Sequence, residues 1–277
     1  MLDPDIAAHY ELGLEDGRLV IDGRPRLEYF RTIELLERLL PSPPARVLDV
    51  GGGTGVYAAA LADRGYEVCV VEPVGSHVER VRSRAREREA GGLTAVLGDA
   101  RRLAIGDGSY DSVLLLGPLY HLTVRADRLL ALREAVRVAG PGGTVVAVGI
   151  SRFASLIDGL KRQTLSDPTF RSVVEADLVD GQHRNPNVAG HPEWFTTAYF
   201  QLPNELREEA AAAGLTRVQL LAVEGPSWIV EDIDDLDNQL AAARCVESEP
   251  SLMEATSHIM VAGVVPRTNT GRAGSPC

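Results

Sequence analysis

The stretch Val47-Leu48-Asp49-Val50-Gly51-Gly52-Gly53-Thr54-Gly55 constrains this chain more than any other. It joins a short apolar run at 46–50 to a helical pattern over 56–64. Glycines between a strand and a helix let the backbone turn sharply and let a ligand approach the main chain closely. The same order then repeats in looser form. Gly65 closes the helix, 67–71 reads as a second strand, 76–89 as a charged helix, and 93–97 and 112–116 as further strands. A helix over 125–138 ends at Gly140-Pro141-Gly142-Gly143, and 144–150 is a fifth strand. Strands separated by helices of this length require a parallel sheet with helices on both faces.

The flanks behave differently. Residues 1–27 are polar and rich in Gly and Asp, an arm with one short helix near 5–12. Tyr29, Phe30, Ile33, Leu36, Leu39 and Leu40 recur at helical spacing until Pro41-Ser42-Pro43-Pro44 stops them. After Ser151 the alternation breaks for about fifty residues, then resumes with a helix at 203–213, a strand at 217–223, a helix at 234–247 and a last strand at 258–265. This divides the chain into an N-terminal arm and helix (1–40), a core (41–150), an inserted cap (151–200), the rest of the sheet domain (201–266) and a tail (267–277) expected to be disordered.

Composition removes several function classes. The net charge is −11, and the densest basic stretch, Arg80 to Arg88, is interrupted by acids and reads as a solvated helix face. No basic footprint for nucleic acid remains. Three scattered cysteines form neither a CxxC pair nor a disulfide framework. No apolar run reaches the roughly 18 residues a membrane span needs, so no membrane partner is expected. The spacing of the histidines and acids marks no metal constellation, and no metal is expected. The acidic start Met1-Leu2-Asp3-Pro4-Asp5 argues against a signal peptide, and the expected location is the cytoplasm.

Two glycine patterns compete at 49–55. A dinucleotide fold requires G-x-G-x-x-G, and counting from Gly51 and Gly53 the third glycine falls on Val56, so that pattern fails. The pattern D-x-G-x-G-x-G is complete with Asp49, Gly51, Gly53 and Gly55. It resembles motif I of the class I S-adenosylmethionine-dependent methyltransferases. The resemblance implies an α/β, Rossmann-like, doubly wound and mostly parallel sheet with a last antiparallel strand, carrying an N-terminal helical arm and an inserted cap. It implies S-adenosyl-L-methionine as cofactor and S-adenosyl-L-homocysteine as product. Glu72 ends the second strand 21 residues after Gly51, where an acid can accept both ribose hydroxyls of a nucleoside. Asp99, after the third strand, matches the acid that pairs with the adenine amino group in this family, with the amide of Ala100 beside it. Asp111 opens the fourth strand and is assigned a structural role. Leu116 and Gly117 end that strand and join the cofactor set. Tyr10, Arg18 and Arg31 precede the core; arms in this family close over the cofactor, and an arginine there would pair with its carboxylate.

Ligands in open α/β sheets sit beyond the carboxyl ends of the strands. Tyr120 and His121 follow the fourth strand and are the catalytic candidates, with His121 as general base. The segment Gly117-Pro118-Leu119-Tyr120 lacks the amide- or acid-headed Pro-Pro-aromatic motif of methyltransferases that modify base amino groups. The segment Gly117–Leu122, paired with the cap segment 194–200, resembles bacterial small-molecule methyltransferases. His191, Trp194, Phe195 and Tyr199 in the cap are the substrate candidates. The expected function is methyl transfer to a small molecule, as in secondary metabolism. An RNA or protein acceptor, or use of bound cofactor for another reaction, are the alternatives; a homodimer is compatible with each.

Overall fold

The computed structural model describes residues 4–11, 13, 17, 19–21, 24–88, 91–230 and 232–267. Arg18 and the tail beyond 267 therefore lie outside the described residues. The arm contains α1 (Pro4–Glu11) and a two-stranded ribbon of β1 (Val20–Ile21) and β2 (Arg24–Pro25), followed by α2 (Leu27–Leu39). The core then runs β3 (Arg46–Val50), α3 (Val56–Ala62), β4 (Glu67–Glu72), α4 (Gly75–Arg86), β5 (Leu93–Leu97) and β6 (Ser112–Leu115). It continues with the single turn α5 (Pro118–His121), then α6 (Arg125–Ala139) and β7 (Thr144–Ser151). The last part holds α9 (Pro203–Ala212), β10 (Thr216–Ala222), α10 (Leu236–Val246) and β11 (His258–Val264). Between them, the cap contributes α7 (Ala154–Arg162), α8 (Pro168–Asp180), β8 (Gln182–His183) and β9 (Ala198–Gln201).

The main sheet has the order β10-β11-β7-β6-β3-β4-β5. β3 to β7 pair in parallel, and β11 runs antiparallel to both β7 and β10. This is the Rossmann-like sheet with one reversed strand. Each strand feeds both layers at period two: Leu48 and Val50 pack under α6 and α9 with Val113 and Leu115, whereas Val47 and Leu114 pack under α2 and α3. The strands read as continuous apolar runs because helices cover both faces. Asp111 has the structural role assigned to it, its carboxylate accepting from the Arg46 amide at 2.7 Å and fixing β3 against the start of β6.

The cap is tied into the sheet as well as lying over it. β9 extends β7 in parallel at Ile150–Phe200 and Ser151–Gln201, and β8 pairs antiparallel with β9. It also has its own small core of Phe170, Val174 and Trp194. His183 closes that core, its Nδ1 2.8 Å from the buried Asp177 carboxylate and its Nε2 2.7 Å from the Trp194 carbonyl. Among the described residues no helix is long and apolar enough to cross a membrane.

Candidate active site

The register fixes where the site forms. Val50 pairs with Val71 and Glu72 with Leu97, so β3, β4 and β5 end at one level. The loops that follow carry the glycines, Glu72 and Asp99, and they surround a cavity of about 300 Å3. Gly51 and Gly117 approach so closely that a Cβ on Gly117 would meet the Gly51 carbonyl at 2.9 Å, and one on Gly51 would meet Pro118 at 2.9 Å. Gly51 also has φ 69°, a backbone region that side chains resist. The two loops form one wall only because both residues lack side chains.

Asp49, Gly51, Gly53, Glu72, Asp99, Ala100, Leu116, Gly117, Tyr10, Tyr120 and His121 all line this cavity. Glu72 is buried and accepts from the Gly53 amide at 3.0 Å and the Val74 amide at 3.1 Å. An ionised carboxylate offers about four acceptor positions, so capacity remains for a ligand. Asp49 is fully enclosed, and among the described residues neither of its oxygens has a hydrogen-bond partner. Burial, and then the neighbouring Glu72 charge, pushes its carboxyl up to about 7. Asp99 accepts from the Arg101 amide at 2.9 Å and from its guanidinium at 2.6 and 3.0 Å, and those side-chain bonds hold it below the usual carboxylate range.

The arm helix reaches this cavity. The Tyr10 hydroxyl lies 2.6 Å from His121 Nε2, and the Thr197 carbonyl is 3.4 Å from Nδ1. Both contacts suit a neutral imidazole that accepts from Tyr10. The His121 residue is half-buried, but its ring sits among Tyr10, Tyr120 and Phe195. That desolvation, partly opposed by the Thr197 carbonyl, pushes its pKa down to about 4. Thr196 Oγ1 donates to the Asp5 carbonyl at 3.1 Å, and His9 meets Phe195 edge-on at 5.5 Å. α1 thus bridges the cap and the cofactor-side loops.

Other candidates lie elsewhere. Gly55, with φ 79°, starts α3 and abuts Val81 of α4; it does not line the cavity. Arg31 is a correction: it is fully buried away from the cavity. It donates to the Val223 carbonyl at 3.0 Å and Glu247 at 2.7 Å, and pairs with Glu34 at 2.9 Å. It lies one turn after Leu27 and one turn before Leu35 on the buried face of α2, where only paired charge is tolerated. Three substrate candidates are corrected similarly. Trp194 packs in the cap core against Phe170, and His191 stacks on its far side at 3.9 Å. Tyr199 lies under the Arg128 guanidinium at 3.9 Å. All three anchor the cap. Of the four, Phe195 lines a second cavity adjoining the first.

The sequence reading missed His77, 3.4 Å from Glu72, and Arg101, whose fork spans Asp99 and Asp127. It also missed the second cavity, of about 230 Å3, which shares Tyr10 and Tyr120 with the first.

A family model described as "methyltransferase domain" matches residues 48–147. Protein-L-isoaspartate O-methyltransferase 2 of Rhodopseudomonas palustris is 30% identical over 168 residues, which is 59% of this chain and 76% of that protein. The chain belongs to the class I S-adenosylmethionine-dependent methyltransferases. The cofactor of this methyltransferase is S-adenosylmethionine. An uncharacterized methyltransferase of Mycobacterium bovis is 33% identical over 119 residues, 43% of this chain and 45% of the relative. The methyltransferase therefore spans about half the length of the first curated relatives it matches. In fold it is similar to the CcbJ methyltransferase from Streptomyces caelestis, with 17% identity, a TM-score of 0.58 and coverage of 96% of this chain and 99% of that one.

The first cavity fits this cofactor on its own chemistry. The glycine wall admits a ligand against bare backbone, Glu72 keeps acceptor capacity, and the orphaned Asp49 oxygens are buried acceptors awaiting a donor or a positive charge.

Proposed function

We propose that this chain transfers a methyl group from S-adenosylmethionine to a small molecule, in the manner of secondary-metabolite tailoring. The observation that carries the reading is the pair of adjoining cavities beneath the arm and the cap, one against the glycine loop and one beyond Tyr10 and Tyr120. A roof made by α1 and residues 195–197 leaves room for a small acceptor and little for a folded macromolecule.

Bound cofactor supplies an electrophilic methyl already activated on a sulfonium. The chain then has to hold, orient and exclude water. Glu72 would accept from the ribose hydroxyls, Asp99 and the Ala100 amide would hold the adenine, and Leu116 and Gly117 would flank the cofactor at the end of β6. Asp49, beside the loop, meets positive charge, which favours its ionised form. His121, neutral and weakly basic, holds Tyr10 over the cavity. Tyr120 stands where the two cavities meet and orients the acceptor. An imidazole held near 4 is a poor match for accepting a proton at neutral pH, where bases work best with pKa close to the operating pH. We therefore give His121 a positioning role.

Calorimetry with S-adenosylhomocysteine tests the cofactor assignment. Glu72→Ala should weaken binding by on the order of 1.5–3 kcal/mol, the worth of charge-assisted hydrogen bonds. Glu72→Gln, which keeps an acceptor for the Gly53 amide, should lose less. Equal affinity in wild type and Glu72→Ala would remove Glu72 from the site.

A further inference from the structure

Phe195 stands in a backbone conformation that side chains resist. It follows the 3-10 turn Pro192–Trp194 with φ 68° and ψ −152°, a region that is essentially glycine-only. A bulky residue stays there only where its surroundings impose it, and such residues gather at functional sites. Here the turn is clamped from several sides. The Phe195 amide donates to the Pro192 carbonyl at 3.1 Å. Buried Asn185 donates through Nδ2 to the carbonyls of His191 and Phe195, each at 2.8 Å. Before Phe195, Trp194 is fixed in the cap core and its carbonyl lies 2.7 Å from His183 Nε2. After it, Thr196 Oγ1 donates to the Asp5 carbonyl at 3.1 Å.

The clamp makes two successive aromatics diverge. Trp194 turns into the cap core and anchors it without a positive φ. Phe195 leaves that core for the cluster of Ile150, Ala154, Ala198 and Phe200 at the end of β7. Its ring centre lies 5.6 Å from His121 and 6.1 Å from Tyr120, and it lines the second cavity. Anchoring the cap requires no strain, as Trp194 shows; what the strain achieves is to set a ring at the junction of the two cavities. Tyr10 and Tyr120 line both cavities there, and Trp228 adds a further ring to the second. That cavity, of about 230 Å3, is smaller than the roughly 300–1,000 Å3 that takes a drug-sized ligand. One or two fused rings suit it.

We propose that the second cavity is the acceptor subsite, that it takes a flat one- or two-ring aromatic compound, and that Phe195 is the residue that selects for the ring. This rests on the methyl-transfer reading above. Offset or edge-on contact between two rings adds attraction beyond the area they bury, and a saturated ring of the same size lacks it. Phe195 therefore discriminates by aromaticity as well as by size.

The test compares 2-naphthylmethanol with its fully saturated counterpart, which has the same skeleton and an alcohol of similar acidity. Each is titrated by calorimetry into the full chain saturated with S-adenosylhomocysteine. Wild type should favour the aromatic probe by roughly two- to tenfold. Phe195→Leu, apolar but without a ring, should bring the ratio close to one, and Phe195→Tyr should keep it. Calorimetry of S-adenosylhomocysteine alone runs in parallel. Failure of that binding in wild type defeats the methyltransferase reading. Normal cofactor-product binding with neither probe bound, or with both bound equally, overturns the acceptor class. A preference undiminished in Phe195→Leu takes the selectivity away from Phe195 and overturns its role. Should Phe195→Leu fail to fold, wild type with ring-labelled phenylalanine answers the same question, with the Phe195 signal identified from its loss in Phe195→Tyr. Nuclear Overhauser contacts should join the naphthalene protons to Phe195, and their absence with the probe bound overturns the proposal.

Discussion

Glu209→Ala should be among the most destabilising single changes in this chain, costing about 3–5 kcal/mol. Glu209 of α9 and Arg128 of α6 are each 2% exposed at the side chain. Arg128 grips both carboxylate oxygens, at 2.8 and 2.9 Å, and Gln201 of β9 donates to the same carboxylate at 3.1 Å. The guanidinium also donates to the carbonyls of Leu122 and Thr123, which line the first cavity, and covers Tyr199. One buried pair thus joins two helices, the cap strand and the lip of the site. Removing the carboxylate leaves a buried cation without its counter-charge. Thermal unfolding should show a fall in midpoint on the order of 10 °C. The double variant Arg128→Met/Glu209→Leu should recover part of it, because a buried ion pair replaced whole by apolar side chains is often tolerated. A midpoint within a degree of wild type for Glu209→Ala would show that the pair holds nothing together.

The second large effect is pH-linked and belongs to Asp49. Its carboxyl is pushed from an ordinary 3.8 up to about 7, first by burial and then by Glu72. A raised folded value means that the unfolded chain gives up this proton earlier than the native protein. The stability carried by the protonated form is complete below about pH 4 and is lost as pH rises through about 7. Asparagine is neutral at every pH and keeps the shape. Asp49→Asn should therefore resemble wild type at pH 4 and exceed it by on the order of 4 kcal/mol above pH 7, from about 1.4 kcal/mol per unit. Urea unfolding without cofactor at the two pH values checks this. A difference that stays constant with pH would mean that Asp49 ionises normally where it sits. The same buried acid should be relieved by a cationic ligand, so the orphaned carboxylate that burdens the free protein favours the loaded one.

The sheet was legible because its signals are local. Period-two and period-3.6 patterns are written within each element, and glycine punctuates the turns. The strand over 46–50 and the helix starting at 56 stand where the sequence places them. The clustering around the glycine loop was legible for the same reason: Asp49, Gly51 and Gly53 lie within one turn, Glu72 ends the adjacent strand, and all four line the first cavity. What failed was assignment by composition. An arginine in the arm suggested a carboxylate partner in the cofactor, but the helical face of Arg31 turns it onto Glu247 and Val223. Aromatics in the cap suggested a pocket, but Trp194 and Tyr199 are needed to anchor an insertion that must build its own core. The second cavity was invisible because Glu28, Lys161, Glu224 and His258 come from four distant segments. Only the reversed last strand hinted at it, since antiparallel pairing brings Ile259 opposite Ala222 and so sets His258 beside the end of β10.

The most direct measurement follows the methyl group. The full chain is incubated with methyl-labelled S-adenosylmethionine and an extract containing both metabolites and macromolecules, and the products are separated by size. The account predicts label in a small-molecule fraction, lost with Glu72→Ala and competed by S-adenosylhomocysteine. Label in protein or RNA, or cofactor bound at the glycine loop with no label transferred to any fraction, would contradict it.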